Sequence, residues 1–568
     1  MNRLHAKRAA FAPGAQGFVS SPEPRSIGRI AKGRQLCAGN FLFAGHMIAA
    51  PGTSIWDVTS PEPAFEDEIH GFTWLDDLAA TGDAKAKALG QDWTATWIAR
   101  FGRGNGPGWT PDSTGRRLIR WINHALFLLE SQDKDWSDAY YRTLGQQTVF
   151  LSRRWTAARP GVPRFEALTG LIYSGLALIG MEQHVDPAVA ALAQECETEI
   201  DPRGAIGSRN PEELLEIFTL LNWASTALTE TGREPLAPIL SAIERIAPTL
   251  RALRHADGGL ARFHGGGRGL EGRLDEALAA SGVRTPPGPG LAMGFARLSA
   301  GRTTLIMDVA SPPTGALGLD AHASTLAMEL TSGRRPLIVS CGTGAPFGAE
   351  WTRASRATAS HSVLEIEGYS SSRFGPRKKV SGQWREALME IPTDVRMRRK
   401  IDSGGVGIIA GHDGYVQTHG LTHVRTIDLA SNGRSIAGDD TIATISEDDN
   451  RLFDRALDRE KLQGIPYNIR FHLHPDVDAT VDMNGSAVSL VLKSGEIWIF
   501  RHDGSARLSL EPSVYLEQGR LTPRSTKQVV LSGRTIEYAK RVRWTLAKAQ
   551  ETPAHVRDLE RDEVELFG

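Results

Sequence analysis

The chain has 568 residues, enough for at least two domains that each bury a core. Its 65 lysine and arginine residues nearly balance its 66 aspartate and glutamate residues, leaving a formal net charge of -1. This balance argues against nucleic acid or an anionic membrane as a partner. Cys37, Cys196 and Cys341 are too few and too scattered for a disulfide framework or a zinc ribbon.

The N-terminal residues carry no recognisable export signal. The first 20 residues are basic and alanine-rich, but they lack the apolar run of about 7–15 residues that a secretory signal needs. The most apolar early stretch, "FLFAGHMIAA", stops at Pro51, well short of the ~18–20 residues of a spanning helix. We therefore expect a soluble chain without a transmembrane segment.

Apolar residues recur at helical spacing from about residue 84 to residue 254, for example in "RRLIRWINHALFLLE" and "PEELLEIFTLLNWASTALTE". The connecting stretches are rich in glycine and proline, and Pro211 stands where a first-turn proline begins a helix. This pattern predicts antiparallel helical hairpins that close into a bundle or a toroid over 84–290, preceded by an extension with the first helices over 1–83.

From about residue 300 the apolar period drops to two, as in "TTLIMDVA" and "EIWIFRHDG", with hairpin turns such as "SNGR" between the runs. The pattern predicts stacked antiparallel sheets over 291–550, followed by a charged tail over 551–568. The glycine-rich stretch "HADGGLARFHGGGRGLEGRL" between the two halves is interpreted as the segment that joins them.

The stretch "DAHASTLAMELTSGRRPLIVSCGTG", residues 320–344, is interpreted as two strands joined by a turn at Ser332 and Gly333. On the first strand His322 and Ser324 would share one face. A strand histidine is often a core residue, so its neighbours decide whether it has a chemical role.

A helical half followed by this stretch and by "WTRASRATASHSVLEIEG" resembles the heparinase II/III family of polysaccharide lyases. His322 and His361 match histidines of the family pattern, and "RGAIGSRNP" is similar to a loop of bacterial members. The resemblance implies fold class α+β, with an N-terminal all-α (α/α) incomplete toroid followed by a C-terminal antiparallel β-sandwich. It also implies β-elimination from an acidic, uronate-containing polysaccharide in the cleft between the two domains.

The chain departs from the family pattern at several site positions. Asp320 replaces the first strand histidine, Ser324 replaces an aspartate, and Ser340 replaces the aspartate that would complete a zinc site with two histidines. A zinc site needs three or four ligands, so His322 and His361 alone leave zinc as a possibility without a complete ligand set. The family's tyrosine has no counterpart, and Glu213 or its neighbour occupies that place.

Elimination requires one group that neutralises the C5 carboxylate and another that removes the C5 proton. Arg209 and Asn210, just before a helix N-terminus, are the candidates for neutralisation, although Asn210 is equally suited to cap that helix. His322 is the candidate base, because imidazole exchanges a proton near neutral pH. Asp320 would orient it, and His361 would act as a second histidine or metal ligand.

Substrate contacts are expected from residues near the helix ends. Trp109 lies in a glycine-rich loop where an indole stacks on a sugar ring, and Arg116 and Arg117 would meet carboxylates or sulfates. Glu213, in the place of the family's tyrosine, completes the predicted substrate-binding set.

Three alternatives stay open at this stage. The first is a catalytically degenerate carbohydrate-binding or envelope-assembly protein on the same scaffold. The second is a hydrolase that uses paired carboxylates among Glu212, Glu213 and Glu216. The third is a metal held by His472 and His474, for which no third ligand is evident. The family resemblance implies the cell envelope or periplasm, whereas the N-terminus favours the cytoplasm; the oligomeric state is open.

Overall fold

The computed structural model describes residues 1–19, 24–380 and 383–549. The predicted charged tail, 551–568, lies outside the described residues. The helices are α1 (Asn2–Ala9), α2 (Ile30–Cys37), α3 (Pro63–Gly71), α4 (Trp74–Thr81), α5 (Ala84–Phe101), α6 (Pro111–Asn123), α7 (Ala125–Leu129), α8 (Lys134–Arg154), α9 (Val162–Ala177), α10 (Val185–Glu199), α11 (Pro211–Glu230), α12 (Ala237–Leu253), α13 (Arg273–Ala280), α14 (Ala349–Ser355), α15 (Val416–His419) and α16 (Glu447–Arg459).

Most strands follow the helical part. They are β1 (Asn40–Phe43), β2 (His46–Ala49), β3 (Phe295–Ala300), β4 (Thr303–Asp308), β5 (Met328–Ser332), β6 (Arg335–Val339), β7 (Leu364–Ile366), β8 (Arg373–Phe374), β9 (Lys378–Val380), β10 (Gln383–Arg385), β11 (Leu388–Glu390), β12 (Val395–Asp402), β13 (Gly405–Tyr415), β14 (Leu421–Ala430), β15 (Ser435–Ala443), β16 (Ile465–Leu473), β17 (Asp478–Asp482), β18 (Ala487–Val491), β19 (Ile497–His502), β20 (Arg507–Tyr515), β21 (Arg524–Thr535) and β22 (Ala539–Lys548). A helical part followed by antiparallel β-structure is therefore confirmed.

Two large antiparallel sheets form the second part. One has the order β12-β13-β14-β15-β22-β19-β18-β17, and the other has the order β20-β21-β16-β6-β5-β4-β3, with β7 also pairing with β16. They pack face to face through aromatic side chains, since the Phe471 ring centroid lies 4.8 Å from that of Trp544 and 4.9 Å from that of Phe500. Strict alternation of buried and half-buried residues along β14 matches the period of two in its sequence.

Helices α6 and α9 approach each other closely because glycines face each other at their contact. A Cβ atom on Gly170 would lie 2.5 Å from the Cα of Gly115, and one on Gly115 would lie 2.4 Å from the carbonyl oxygen of Glu166. Real Cβ atoms do not approach backbone atoms so closely, so any side chain at either position would force the helices apart.

We expect Gly170→Ala to lower the free energy of unfolding by about 1–3 kcal/mol, because overpacking outweighs the better helix propensity of alanine. Gly71→Ala is the control, since its Cβ would meet only the Arg116 side chain, at 3.4 Å. Chemical denaturation of both variants measures the effect. A Gly170→Ala protein as stable as the wild type would contradict the close contact.

No helix within the described ranges is both long enough and apolar enough to cross a bilayer.

The predicted first strand of the 320–344 stretch is wrong in its extent. The ladder of β5 begins only at Met328, and the preceding residues from Asp320 to Ala327 follow an irregular path. The predicted turn at Ser332 and Gly333 is confirmed between β5 and β6, where Gly333 adopts φ 58°.

Candidate functional site

The candidate site lies where the helical part meets the sandwich. Four segments converge there: the loop 207–210 before α11, the glycine-rich loop 261–267, the end of β4, and the irregular segment 320–327. Asp308 at the end of β4 is completely buried and contacts side chains of the other three segments. The polar side chains around it determine what the site can do.

Asp308 is the centre of a buried hydrogen-bond network. Its carboxylate accepts a hydrogen bond from Arg209 Nη2 (2.5 Å) and another from the Ser324 hydroxyl (2.7 Å). His264 Nε2 lies 3.4 Å from Oδ2 of the same carboxylate. Burial, the largest single influence, would raise the pKa of Asp308, but Arg209 and His264 together outweigh burial and hold that pKa well below its usual range.

Every N–H group of Arg209 donates a hydrogen bond within the protein. Its Nε donates to the carbonyl oxygen of Met293 (3.1 Å), and its remaining N–H groups donate to Asp308 and to backbone carbonyls. The other carbonyl acceptors are Gly294 (3.2 Å), Ala310 (3.4 Å) and Ser311 (2.9 Å). A guanidinium has five N–H donors, and all five are used. The prediction that Arg209 neutralises a substrate carboxylate is therefore wrong for this structure.

Asn210 and Asp320 also have structural partners. Asn210 Oδ1 accepts hydrogen bonds from the backbone N–H groups of Glu212 (2.9 Å) and Glu213 (3.3 Å), so it caps α11. This is the capping role that the sequence allowed as an alternative, and the catalytic assignment of Asn210 stays a prediction. Asp320 is exposed and paired with Arg385 rather than with His322, so it does not orient that imidazole.

His322 and His361 face each other in the interior. Their ring centroids are 5.2 Å apart, and their exposed fractions are only 3% and 1%. The backbone N–H of His322 donates to His264 Nδ1 (3.2 Å), and His361 Nδ1 lies 3.0 Å from the Ser340 hydroxyl. His322 Nδ1 and His361 Nε2 are buried without a hydrogen-bond partner.

Both imidazoles are neutral at physiological pH. Burial lowers the pKa of His322 well below its usual value, and the neighbouring His361 and His264 add to this effect. Burial, together with His472, lowers the pKa of His361 to about 3. A base with so low a pKa accepts a proton poorly near neutral pH, which weakens the predicted role of His322.

The residues present do not fit the zinc ion that the family resemblance suggests. The two unpartnered imidazole nitrogens would supply two ligands, but the third position is the hydroxyl of Ser340. Within the described ranges no group of three or more histidine, cysteine, aspartate or glutamate side chains is arranged to hold a metal. A protein zinc site requires three or four such ligands. The alternative pair, His472 and His474, does not form such a group either.

Three of the four predicted substrate contacts lie inside the helical part. Trp109 is 1% exposed and donates through Nε1 to the Phe101 carbonyl oxygen. Arg117 is fully buried over the Trp97 ring, 4.0 Å from its centroid. Arg116 is paired with acidic side chains, 2.6 Å from Asp67 and 3.4 Å from Glu166. These predictions are therefore wrong, because the side chains fill the core or neutralise internal carboxylates.

Glu213 is the predicted contact that remains at the cleft. Its carboxylate accepts a hydrogen bond from the Ser208 hydroxyl (2.5 Å). Burial raises the pKa of Glu213, and the negative charge of Asp320 raises it further, although the Ser208 hydrogen bond opposes this. Glu212 accepts from the backbone N–H of Gly267 (2.8 Å), and Glu216 pairs with Arg273, so the two other carboxylates of the hydrolase alternative have partners.

Sequence reasoning missed Asp308, His264 and Arg425. Arg425 donates to the carbonyl oxygens of Leu326 (3.0 Å) and Ser362 (2.8 Å), which fixes the segments that carry His322 and His361. Asp440, directly opposite Arg425 on the neighbouring strand β15 of the same sheet, neutralises it at 2.8 Å. The sequence does contain one signal for Asp308, because this residue is the single charged side chain of β4 and lies at its end.

The comparisons agree with this architecture. The family described as Heparinase II/III-like, C-terminal, matches residues 283–545. FtsZ-localized protein C of Caulobacter vibrioides is 30% identical over 555 residues, 95% of this chain and 91% of that protein. The solved structure of Heparinase III is similar with a TM-score of 0.68 at 11% identity, over 96% of this chain and 89% of that chain. A mutant of the heparan sulfate lyase HepC from Pedobacter heparinus gives 0.58 at 13% identity, over 97% and 88%.

The predicted toroid followed by a sandwich is confirmed by these structural neighbours. At 11–13% identity the likeness establishes the fold alone.

Proposed function

We propose that this chain, which belongs to the heparinase II/III family, binds an acidic glycan without cleaving it and works with the cell-division apparatus. The proposal takes the polysaccharide-lyase-like scaffold as its starting point. It assigns to the chain the role of a catalytically degenerate carbohydrate-binding or envelope-assembly protein.

The hydrogen bonds of Arg209 are the main support for this proposal. β-Elimination needs a group that stabilises the charge developing on the uronate carboxylate, either a guanidinium or an amide, and a cation does so most strongly. Arg209 gives all five of its donors to Asp308 and to backbone carbonyls, so the site offers no free guanidinium from this loop. The cleft rim instead carries Glu213, a carboxyl group that cannot supply the missing positive charge.

The proton-transfer groups support the same conclusion. His322 is buried and neutral, and its low pKa makes it a poor acceptor of a C5 proton. The place of the family's tyrosine is occupied by Glu213, which is hydrogen-bonded to Ser208. The predicted groups for these roles are therefore absent, weakly basic or already paired.

The name of the Caulobacter relative supports the place of action. That protein is called FtsZ-localized, and the chains align over nearly their full lengths. We expect this chain to share the location of FtsZ in the cell rather than to act as a free periplasmic enzyme. A fluorescent fusion imaged together with labelled FtsZ tests the expectation, and uniform distribution of the fusion through cells with assembled FtsZ would contradict it.

We expect no unsaturated-uronate absorbance when the purified chain is incubated with heparan sulfate, polygalacturonate, alginate or bacterial capsular polymer. Affinity electrophoresis of the same samples should show retardation by at least one of these polymers. An active polysaccharide lyase serves as the positive control for the absorbance signal. Growth of that signal with this chain would overturn the loss of catalysis.

A lyase activity is the second candidate, and one observation favours it. His322 Nδ1 and His361 Nε2 are buried without partners, an arrangement that a bound ligand would satisfy. If the absorbance assay gives product, His322→Asn should abolish it while leaving polymer retardation intact. Product formation unchanged in that variant would remove His322 from the mechanism.

A further inference from the structure

An exposed two-stranded ribbon stands beside the cleft. It consists of β9 and β10, which pair antiparallel with Lys379 opposite Trp384 and Lys378 opposite Arg385. Residues directly opposite each other share a face of such a ribbon, with Cβ atoms about 4.5–5.5 Å apart. Trp384 and Lys379 are therefore neighbours on one face. Trp384 is 67% exposed, although tryptophan is usually largely buried.

The base of the ribbon is fixed to the cleft rim. Arg385 donates to the carbonyl oxygen of Leu319 (3.2 Å) and pairs with Asp320. Glu386 pairs with Arg353 (3.0 Å) at the end of α14. The ribbon is thus attached to the segment that leads into His322.

Positive charge is concentrated on this part of the chain. Residues 373–400 contain nine lysine and arginine residues and three acidic residues, whereas the whole chain has a net charge of -1. Lys378 and Lys379 are exposed, and no ion pair of either is seen among the described residues. Their charge is available to an external anion.

We propose that the face of Trp384 and Lys379 binds an anionic glycan. The apolar face of a sugar ring stacks on the indole, and a carboxylate or phosphate substituent meets the ammonium group of Lys379. This inference rests on the proposed function and gives it a location, outside the acidic rim at Glu213 and Asp320. Arg385 neutralises Asp320, so the rim next to the ribbon does not repel the polymer.

A glycan fits this surface better than a bilayer. Membrane-docking surfaces present several large apolar side chains together, with cations around them. Among the described side chains of the ribbon, Trp384 is the one large exposed apolar group; its neighbours are the lysines, the paired Arg385 and the half-buried Val380. A single indole flanked by cations matches one sugar ring with one acidic substituent.

The test uses the full chain and polygalacturonate as the probe, with heparan sulfate as a second anionic polymer and dextran as the neutral one. We expect Trp384→Ala to weaken polygalacturonate binding at least tenfold in titration calorimetry, and Trp384→Phe to restore part of it. Lys379→Ser should weaken binding and reduce its salt dependence, and Lys378→Ser, on the opposite face of the ribbon, should have a smaller effect. Dextran should not bind detectably.

Matched controls lie on other surfaces. Tyr538→Ala removes an exposed aromatic side chain from the sandwich, and Lys85→Ser/Lys134→Ser removes two exposed cations from the helical part. Both should bind polygalacturonate like the wild type. Unchanged thermal unfolding of the Trp384 variants would show that the ribbon substitutions leave the fold intact.

The outcomes separate the two proposals. If the wild type binds polygalacturonate and Trp384→Ala binds equally well, the ribbon assignment is overturned and the glycan-binding function stands. If the wild type binds none of the anionic polymers, the proposed function itself fails, and the ribbon assignment fails with it. Binding of the wild type to phosphatidylglycerol vesicles, lost in Trp384→Ala and without any glycan binding, would assign the surface to a bilayer instead.

Discussion

Replacing Asp308 by alanine should lower the free energy of unfolding by about 3–5 kcal/mol, the usual effect of removing one partner from a buried ion pair. Arg209 would remain in the interior with five donors and no counter-ion, because its other acceptors are neutral carbonyls. Ser324 and His264 would lose their shared partner as well. Urea denaturation followed by tryptophan fluorescence measures the change.

The exposed pair of Asp186 and Arg233 provides the control. Its side chains are 85% and 40% exposed, so Asp186→Ala should change stability by no more than about 1 kcal/mol. If Asp308→Ala lowered the free energy of unfolding as little as Asp186→Ala does, another group would have to compensate the charge of Arg209. In that case Arg209 would again be a candidate to meet a substrate carboxylate.

The local features of the fold could be predicted from the sequence because their causes are local. Proline at the first turn and asparagine before it mark the start of α11, and both hold in the structure. Alternating residues mark the strands of the sandwich, and glycine marks the turn between β5 and β6. These signals depend on neighbours within a few residues, which a single sequence displays.

The site could not be predicted because its chemistry depends on distant partners. Arg209 looks like an available cation until Asp308, 99 residues later, is placed against it. The tryptophan and arginines near α6 look like a binding surface in sequence, yet they fill the interior of the helical part. His322 appeared to lie on a strand, but its segment forms no ladder. Residue type and spacing do not show which of these groups already has a partner.

The buried histidines should make the protein sensitive to mild acid. Burial lowers the pKa of His361 and of His70 to about 3, and that of His472 to about 4, compared with 6.5 for a free imidazole. Below pH 6.5 these histidines bind protons in the unfolded chain but remain unprotonated in the folded chain. The protein should therefore lose stability as the pH falls from 6.5 towards 4. The contribution of these histidines to the free energy of unfolding should be fully present above pH 6.5.

The expected slope is about 1.4 kcal/mol per pH unit for each histidine, or about 4 kcal/mol per unit for the three together, and Glu166, whose pKa burial raises to about 8, opposes it by about 1.4 kcal/mol per unit. Asp308 acts in a separate window: its pKa is lowered, so its contribution is lost only below about pH 4, where the unfolded carboxyl becomes protonated. Urea denaturation at pH 7, 6 and 5 measures the histidine slope, and His361→Gln should reduce it by about 1.4 kcal/mol per unit. A free energy of unfolding that stays level from pH 7 to 5 would mean that the interior imidazoles accept protons in the folded state. His322 would then regain the basicity that elimination requires.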